Sequence, residues 1–166
     1  SQWVQVIEEA HRVGFKTTST IMYGHIDGPE SWARHMITLR ELQQRTGGIT
    51  EFVPLPFVHM EAPIWLKGRA RSGPTFGETL LLHAVARLAL HPHVTNIQAS
   101  WVTQGGKVGQ LSLAYGANDM GSVMIEENVV RAAGAEYCMD EFEVVRNIEN
   151  AGFTARRRNM HYELLG

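Results

Sequence analysis

The residues of this chain best able to do chemistry fall just after three apolar, β-branched runs. Tyr23 ends the run 17–23 and Gly24 and His25 follow it, His59 and Glu61 follow the run 50–57, and Trp101 and Gln104 lie at and just beyond the end of the run 96–102. Parallel α/β folds carry their reactive side chains at the C-terminal ends of strands, so these are the candidates. A histidine there suits proton transfer or ligand binding at neutral pH, although a lone His25 also fits a hydrogen-bonded structural role. His59 and Glu61 form the stronger pair, because they share the polar loop 58–74 with Trp65, Lys67, Arg69 and Arg71. Loops of that length in compact domains are usually functional. His91-Pro92-His93 has the look of a metal pair, but it follows a helix end and has no third ligand nearby, so a solvated turn and no metal site are expected. Cys138, the only cysteine, reads as core packing, and Arg156, Arg157 and Arg158 read as a solvated tail.

The elements that must position these groups alternate. Residues 2–12 place Trp3, Val6, Ile7 and Ala10 on one helical face, with Gly14 beyond it as a stop. After the strand 17–23 and Gly24, the run Asp27-Gly28-Pro29-Glu30 signals a helix start, and Trp32, Met36, Leu39 and Leu42 continue it to Gly47-Gly48. The strand 50–57 holds Pro54 and Pro56, which predicts that its C-terminal half leaves the sheet to form a site wall. Thr75 and Glu78 make a capping box for a helix running to His91-Pro92. A third strand over 96–102, a short helix over 108–115, a fourth strand over 117–125, helices over 126–133 and 140–150, and a basic, irregular tail complete the reading. Four β–α units in series predict a parallel sheet with helical crossovers. A small doubly wound sheet fits the length, and so do four of the eight units of a barrel that takes about 250 residues. Glycine-rich nucleotide fingerprints, a Walker lysine and a nucleophile elbow are all missing.

Composition narrows the class. The chain has 166 residues, 44% hydrophobic and 19% charged, with 15 basic against 17 acidic side chains, as an ordinary globular domain has. A net charge of −2 with no long basic run argues against a nucleic-acid partner. No apolar stretch approaches the roughly 20 residues of a spanning helix, so no membrane is implied. One cysteine excludes an internal disulfide and a Cys-rich cluster built from this chain, and a reducing cytoplasmic location is expected. Ser1 in place of an initiator Met suggests a processed or truncated chain, with no signal peptide.

Two stretches go beyond pattern. TTSTIMYGH at 17–25 and TGGITEFVPLPFVHMEAPIWLKGRARSGPTF at 46–76 closely resemble the radical S-adenosylmethionine (SAM) enzymes that make the deazaflavin FO, on the tyrosine-using 4-hydroxybenzyl transferase side. IQASWVTQGGKVGQLSLAYGANDMGSVMIEENVVRAAG at 97–134, with RRRNMHYELLG at the end, looks most like the sister enzyme of menaquinone synthesis, dehypoxanthine futalosine cyclase. The resemblance covers nearly the whole chain. It implies an α/β fold, the C-terminal half of a radical SAM (β/α) TIM-like barrel, with residues 1–134 as half-barrel and 135–166 as a C-terminal helix and tail. The family's CxxxCxxC motif is absent, so the 4Fe-4S cluster ligands lie outside this chain, which is expected to be inactive alone and to need its N-terminal half-barrel or a second copy.

By the same resemblance, Tyr23, Gly24, Ile26 and Gly28 on the first strand and Pro54, Leu55 and Pro56 on the second would bind SAM. His25, His59, Glu61, Arg69, Gln98, Ser100, Trp101, Asn118 and Asp119 would face small-molecule substrates. None is expected to be catalytic in itself. The implied activity joins a tyrosine-derived 4-hydroxybenzyl group to 5-amino-6-(D-ribitylamino)uracil. The alternatives are the futalosine cyclase reaction and a non-catalytic, ligand-binding half-barrel. The FO-type reading is preferred because the 58–74 loop is of that type throughout.

Overall fold

The computed structural model describes residues 1–123, 128–134 and 136–165. Helix α1 (Gln2–Arg12) is capped by Ser1, whose hydroxyl accepts from the Val4 amide, and turns Val4 and Ile7 onto the core. Strand β1 (Thr17–Tyr23) leads through Gly24 to α2 (Pro29–Thr46). Trp32, Met36, Leu39 and Leu42 form the buried stripe of α2, and Gly47, at φ 61°, ends it in the left-handed conformation that glycine adopts at least cost. Strand β2 (Ile49–Pro56) follows, then the single turn α3 (Pro63–Leu66) within the long loop. The Thr75–Glu78 capping box starts α4 (Phe76–Leu90) as the sequence predicts. Beyond it come α5 (Trp101–Gln104), α6 (Gly106–Ala114), α7 (Val129–Ala132) and α8 (Glu141–Asn150), the last opened by an Asp140–Glu143 capping box.

Strands β1 and β2 pair in parallel, Phe52 bridges Ile97, and Gln98 bridges Asp119, so four parallel segments lie side by side in chain order. The third and fourth segments are single bridges instead of the predicted strands over 96–102 and 117–125. After Ala99 the chain winds into α5, and after Asp119 the carboxylate Oδ1 accepts from the Gly121 amide at 2.6 Å, turning the backbone at a glycine with φ 72°. Residues 124–127 lie outside the described residues, which leaves α7 as the described part of the helix expected over 126–133.

Strand β2 also differs from expectation, staying in register with β1 as far as Tyr23↔Pro56. The Phe57 amide bonds to Tyr23, whereas the Phe52 amide bonds to Asn96 on the opposite side. Alternation therefore turns the missing donors of Pro54 and Pro56 away from β1, toward a neighbour that has already left the sheet.

The helices cover one face of the sheet. Tyr23 meets Trp32 edge-on and Phe52 lies near His35, both partners being on α2, so the register pairs Ser19↔Phe52, Ile21↔Pro54 and Tyr23↔Pro56 face the helices. Each large apolar side chain fully buried there contributes about 1.5–3 kcal/mol. A second core gathers Trp101, Val102, Leu113 and Met120 against Met139, Val144 and Ile148.

The opposite face carries Thr18↔Glu51, Thr20↔Val53 and Met22↔Leu55. The tail is ordered as well: β3 (Arg157–Arg158) and β4 (Leu164–Leu165) form an antiparallel hairpin in place of the expected irregular, solvated end. Cys138 is exposed, a correction to its expected place in the core, which Met139 takes next to it.

Candidate functional site

At the C-terminal end of β1 a short loop is tied by one carboxylate. Asp27 accepts the Gly24 amide at 2.9 and 3.0 Å, the His25 amide at 2.9 Å and the Trp32 indole N–H, and lies 2.6 Å from His25 Nδ1. Burial on its own would raise the Asp27 carboxyl, but these donors outweigh it and hold the group down at about 2. Gly24, at φ 91°, lets the loop 58–74 close over it: a Cβ there would stand 2.3 Å from Pro74 Cδ. The His25 ring lies 5.7 Å from Phe57, and its carbonyl accepts the Arg71 amide at 3.0 Å. Arg71 in turn reaches both oxygens of Glu78 at 2.9 Å, tying the loop to the start of α4.

The other candidates at this end are looser. His59 is half-buried, its ring edge-on to Trp65 at 4.8 Å, while Glu61 and Arg69 are exposed. Among the described residues no hydrogen bond or ion pair joins those three side chains. Ile26 is exposed and Gly28 has open space about it. Leu55 faces away from the helices, whereas Tyr23, Pro54 and Pro56 face them, and the Tyr23 hydroxyl donates to Thr79 at 3.2 Å. Trp101 is buried in the second core. Ser100 is buried beside it and accepts from Thr103. The Asn118 side-chain oxygen is taken by the Ile97 amide at 2.8 Å and by Arg87 at 2.9 Å, and so clamps two parallel segments to α4.

Gln98 and Asp119 converge elsewhere, on a group the sequence reading missed. Thr50 is a bulge, because Thr17 pairs with Ile49 but Thr18 with Glu51. The extra residue turns Glu51 onto the face away from the helices. There Glu51 is 2% exposed, and its Oε2 accepts from Gln98 Nε2 and from the Tyr162 hydroxyl, both at 3.0 Å. Arg158 pairs with Asp119, stands 3.8 Å from Glu51 Oε1, and lies over the Tyr162 ring at 4.2 Å. Burial first, and the neighbouring Asp119 charge second, push Glu51 up to about 7, against the donors that favour its charged form. Burial and the Glu51 charge push the Tyr162 phenol up to about 12.

Five residues of β2 separate this centre from the mouth, about 17 Å of strand at ~3.3 Å per residue. The expected substrate-facing residues thus divide between two levels of one sheet. A lone Glu in the apolar run 49–56 was the available signal for the lower level. Nothing local in the sequence joins it to Arg158 and Tyr162.

Parallel segments in chain order, helices on one face and a charged, hydrogen-bonded centre on the other define an α/β unit built around an internal polar site. The family model described as "CofH/MqnC C-terminal region" matches residues 46–166, and the chain belongs to that family. It is 49% identical over 164 residues to the 5-amino-6-(D-ribitylamino)uracil--L-tyrosine 4-hydroxyphenyl transferase of Methanopyrus kandleri, covering 98% of this chain and 44% of the relative. It is 46% identical over 168 residues to the FO synthase of Mycobacterium leprae, covering 100% of this chain and 20% of the relative. The chain therefore spans less than half the length of these curated relatives. Among the described residues no helix is long and apolar enough to cross a membrane.

Proposed function

We propose that this chain is the C-terminal part of a radical SAM transferase of FO biosynthesis, joining a tyrosine-derived 4-hydroxybenzyl group to 5-amino-6-(D-ribitylamino)uracil in the cytoplasm. The observation that carries the reading is the buried polar centre at Glu51 on the face opposite the helices, in a chain that matches the Methanopyrus kandleri transferase along 98% of its length. Parallel segments in chain order, helix-covered on one face and free of helices on the other, are what one side of a (β/α) barrel requires. The N-terminal half-barrel would complete the wall along the open edge of β1.

The residues present do not fit an iron–sulfur cluster. Cys138 is the only thiol, and among the described residues no three His, Cys, Asp or Glu side chains gather as a ligand set. They fit SAM better: Ile26 is exposed, the backbone of Gly28 is open to close approach, and Leu55 faces the same side as Glu51. SAM, when bound, supplies the adenosyl group from which the family draws its carbon radical. This chain's own residues bind and orient. Asp27 fixes the loop that carries Ile26 and Gly28, His59 and Glu61 present polar groups at the mouth, and Gln98 and Asp119 meet the substrate from below. Val53, Met22 and Leu55 give the strand face between the two levels its apolar character.

The test is product formation by the longer polypeptide that carries this segment, supplied with tyrosine and 5-amino-6-(D-ribitylamino)uracil and analysed by mass spectrometry. Coupled product supports the reading. Turnover of dehypoxanthine futalosine instead assigns the chain to the sister reaction, and ligand binding without turnover of either leaves a binding unit.

A further inference from the structure

The buried centre around Glu51 has one unused atom. Oε2 already accepts two hydrogen bonds, from Gln98 and Tyr162, whereas Oε1 is shielded from solvent and has no hydrogen-bond partner. Arg158 Nη2, at 3.8 Å, is too far to satisfy it, and Arg158 is itself directed at Asp119. A buried polar atom left unpaired costs stability and needs a reason. Because Oε2 is occupied, a proton taken up by Glu51 resides on Oε1. That atom is therefore an O–H donor when the group is neutral and a free acceptor when it is charged.

A second observation points the same way. Tyr162 is the only non-glycine residue with positive φ, at 63°, among the described residues. Asn159 ties the turn that holds it there, its side-chain oxygen accepting the His161 amide at 2.8 Å and the Glu163 amide at 3.1 Å. A bulky residue in that sparsely populated region is characteristic of sites where geometry is functionally required. What the conformation achieves is delivery of the phenol to Glu51 and of the ring to Arg158.

We propose that Glu51 Oε1 is a hydrogen-bonding contact for the ring edge of the pyrimidine substrate, and that the C-terminal hairpin holds it there through Tyr162 and Arg158. The inference rests on the transferase reading above and adds to it a residue and an element. A uracil ring edge presents both N–H donors and carbonyl acceptors, which a carboxyl able to play either part near neutral pH can match. The hairpin is then part of the substrate site and not a tail. The ionisable groups facing Glu51 are Asp119 beyond α6 and Arg158 and Tyr162 on the hairpin, with the neutral Gln98 amide beside them.

The experiment compares wild type, Glu51→Gln and Tyr162→Phe in the longer polypeptide, measuring KM for the uracil and for tyrosine separately, the pH profile of kcat/KM, and uncoupled SAM cleavage. Glu51→Gln is expected to raise KM for the uracil about 10-fold or more, to leave KM for tyrosine within about 2-fold, and to abolish the limb of the profile near pH 7. Tyr162→Phe removes a donor that favours the charged carboxylate, so that limb moves to higher pH. An unchanged uracil KM with a lowered Tm makes Glu51 an anchor for the hairpin only and overturns the proposal. If Glu51→Gln does not fold, the limb in Tyr162→Phe decides, and an unmoved limb overturns the proposal. Wild-type enzyme that makes no product from tyrosine and the uracil overturns the reading beneath it, which is a different result from a wild-type enzyme whose product formation ignores Glu51.

Discussion

Tyr162 donates its phenolic proton to Glu51 Oε2 at 3.0 Å, across 111 residues of sequence. The contact joins the C-terminal hairpin to the first half of β2, and it lies on the face that the helices leave open. Burial and the Asp119 charge at this centre, working against that hydrogen bond, give it a stability profile opposite to the usual carboxylate's. The native state holds Glu51 at about 7 against an ordinary value of 4.5, so it binds more protons than the unfolded chain between those limits. Stability contributed by the neutral group is complete below about pH 4.5 and lost as pH rises through about 7. Wild type should therefore lose on the order of 2–3 kcal/mol between about pH 5 and pH 8 relative to Glu51→Gln, read from urea midpoints at the two pH values. Parallel midpoints would show that Glu51 titrates at its ordinary value.

Asp27 has the reverse sign. Its carboxyl is held at about 2 against an ordinary 3.8, so its contribution is present above about pH 4 and lost as pH falls through about 2. Asp27→Asn turns an N–H₂ toward donors and should cost on the order of 2 kcal/mol at neutral pH. Thermal melts at pH 7 and pH 3 should show the gap between the two proteins narrowing in acid, and a constant gap would contradict the assignment.

Gly24→Ala brings two penalties together: a side chain at φ 91°, and a Cβ within 2.4 Å of the Pro74 backbone nitrogen, which cannot swing aside. The loop 58–74 should detach. Limited proteolysis is expected to cut within 58–74 faster than in wild type, with a stability loss of at least about 2 kcal/mol. Unchanged cleavage would mean that the loop is held from elsewhere.

The mouth was more legible in the sequence than the floor. The β-branched run ending at Gly24 marks β1 to the residue, and capping boxes and glycine stops mark α2, α4 and α8, because these signals act within four residues of where they are written. Glu51 escapes that reading because its face is decided by a bulge at Thr50, a property of the pairing and not of the strand. Arg158 escapes because a basic end is normally solvated, and only the fold reveals Asp119 waiting for it. Pro54 and Pro56 mislead for the same reason: their missing donors matter only on the side where a neighbour is present.

His59 and Glu61 remain the mouth's polar pair, although no bond joins them. In the longer polypeptide, His59→Ala and Glu61→Ala should abolish coupled product while SAM cleavage continues, since both are assigned to orienting substrate. Loss of SAM binding in either variant would move that residue to the cofactor side. The Trp65 ring packed edge-on to His59 makes His59→Ala the more damaging to loop order, so Glu61→Gln serves as its comparison.

The isolated chain should not be a well-packed monomer. Strand β1 has no neighbour on its outer edge among the described residues, and on the face away from the helices Thr18, Thr20 and Met22 are exposed, Met22 by 56%. An open edge presents a row of unpaired backbone donors and acceptors, and the side chains beside it lack the opposite wall that a closed barrel supplies. Two copies related by a twofold axis would cover both open edges at once, and, on the barrel reading proposed above, an N-terminal half supplied in trans would do the same for one. The Glu51 centre resists that pull, since the hairpin already shields one end of the open face. Sedimentation at micromolar concentration should give a species heavier than the 18.6 kDa chain, which reverts to a simple complex when the N-terminal half is added. A compact monomer with cooperative unfolding would mean that the hairpin alone suffices to close the sheet, and that the face holding Glu51 is complete without a partner.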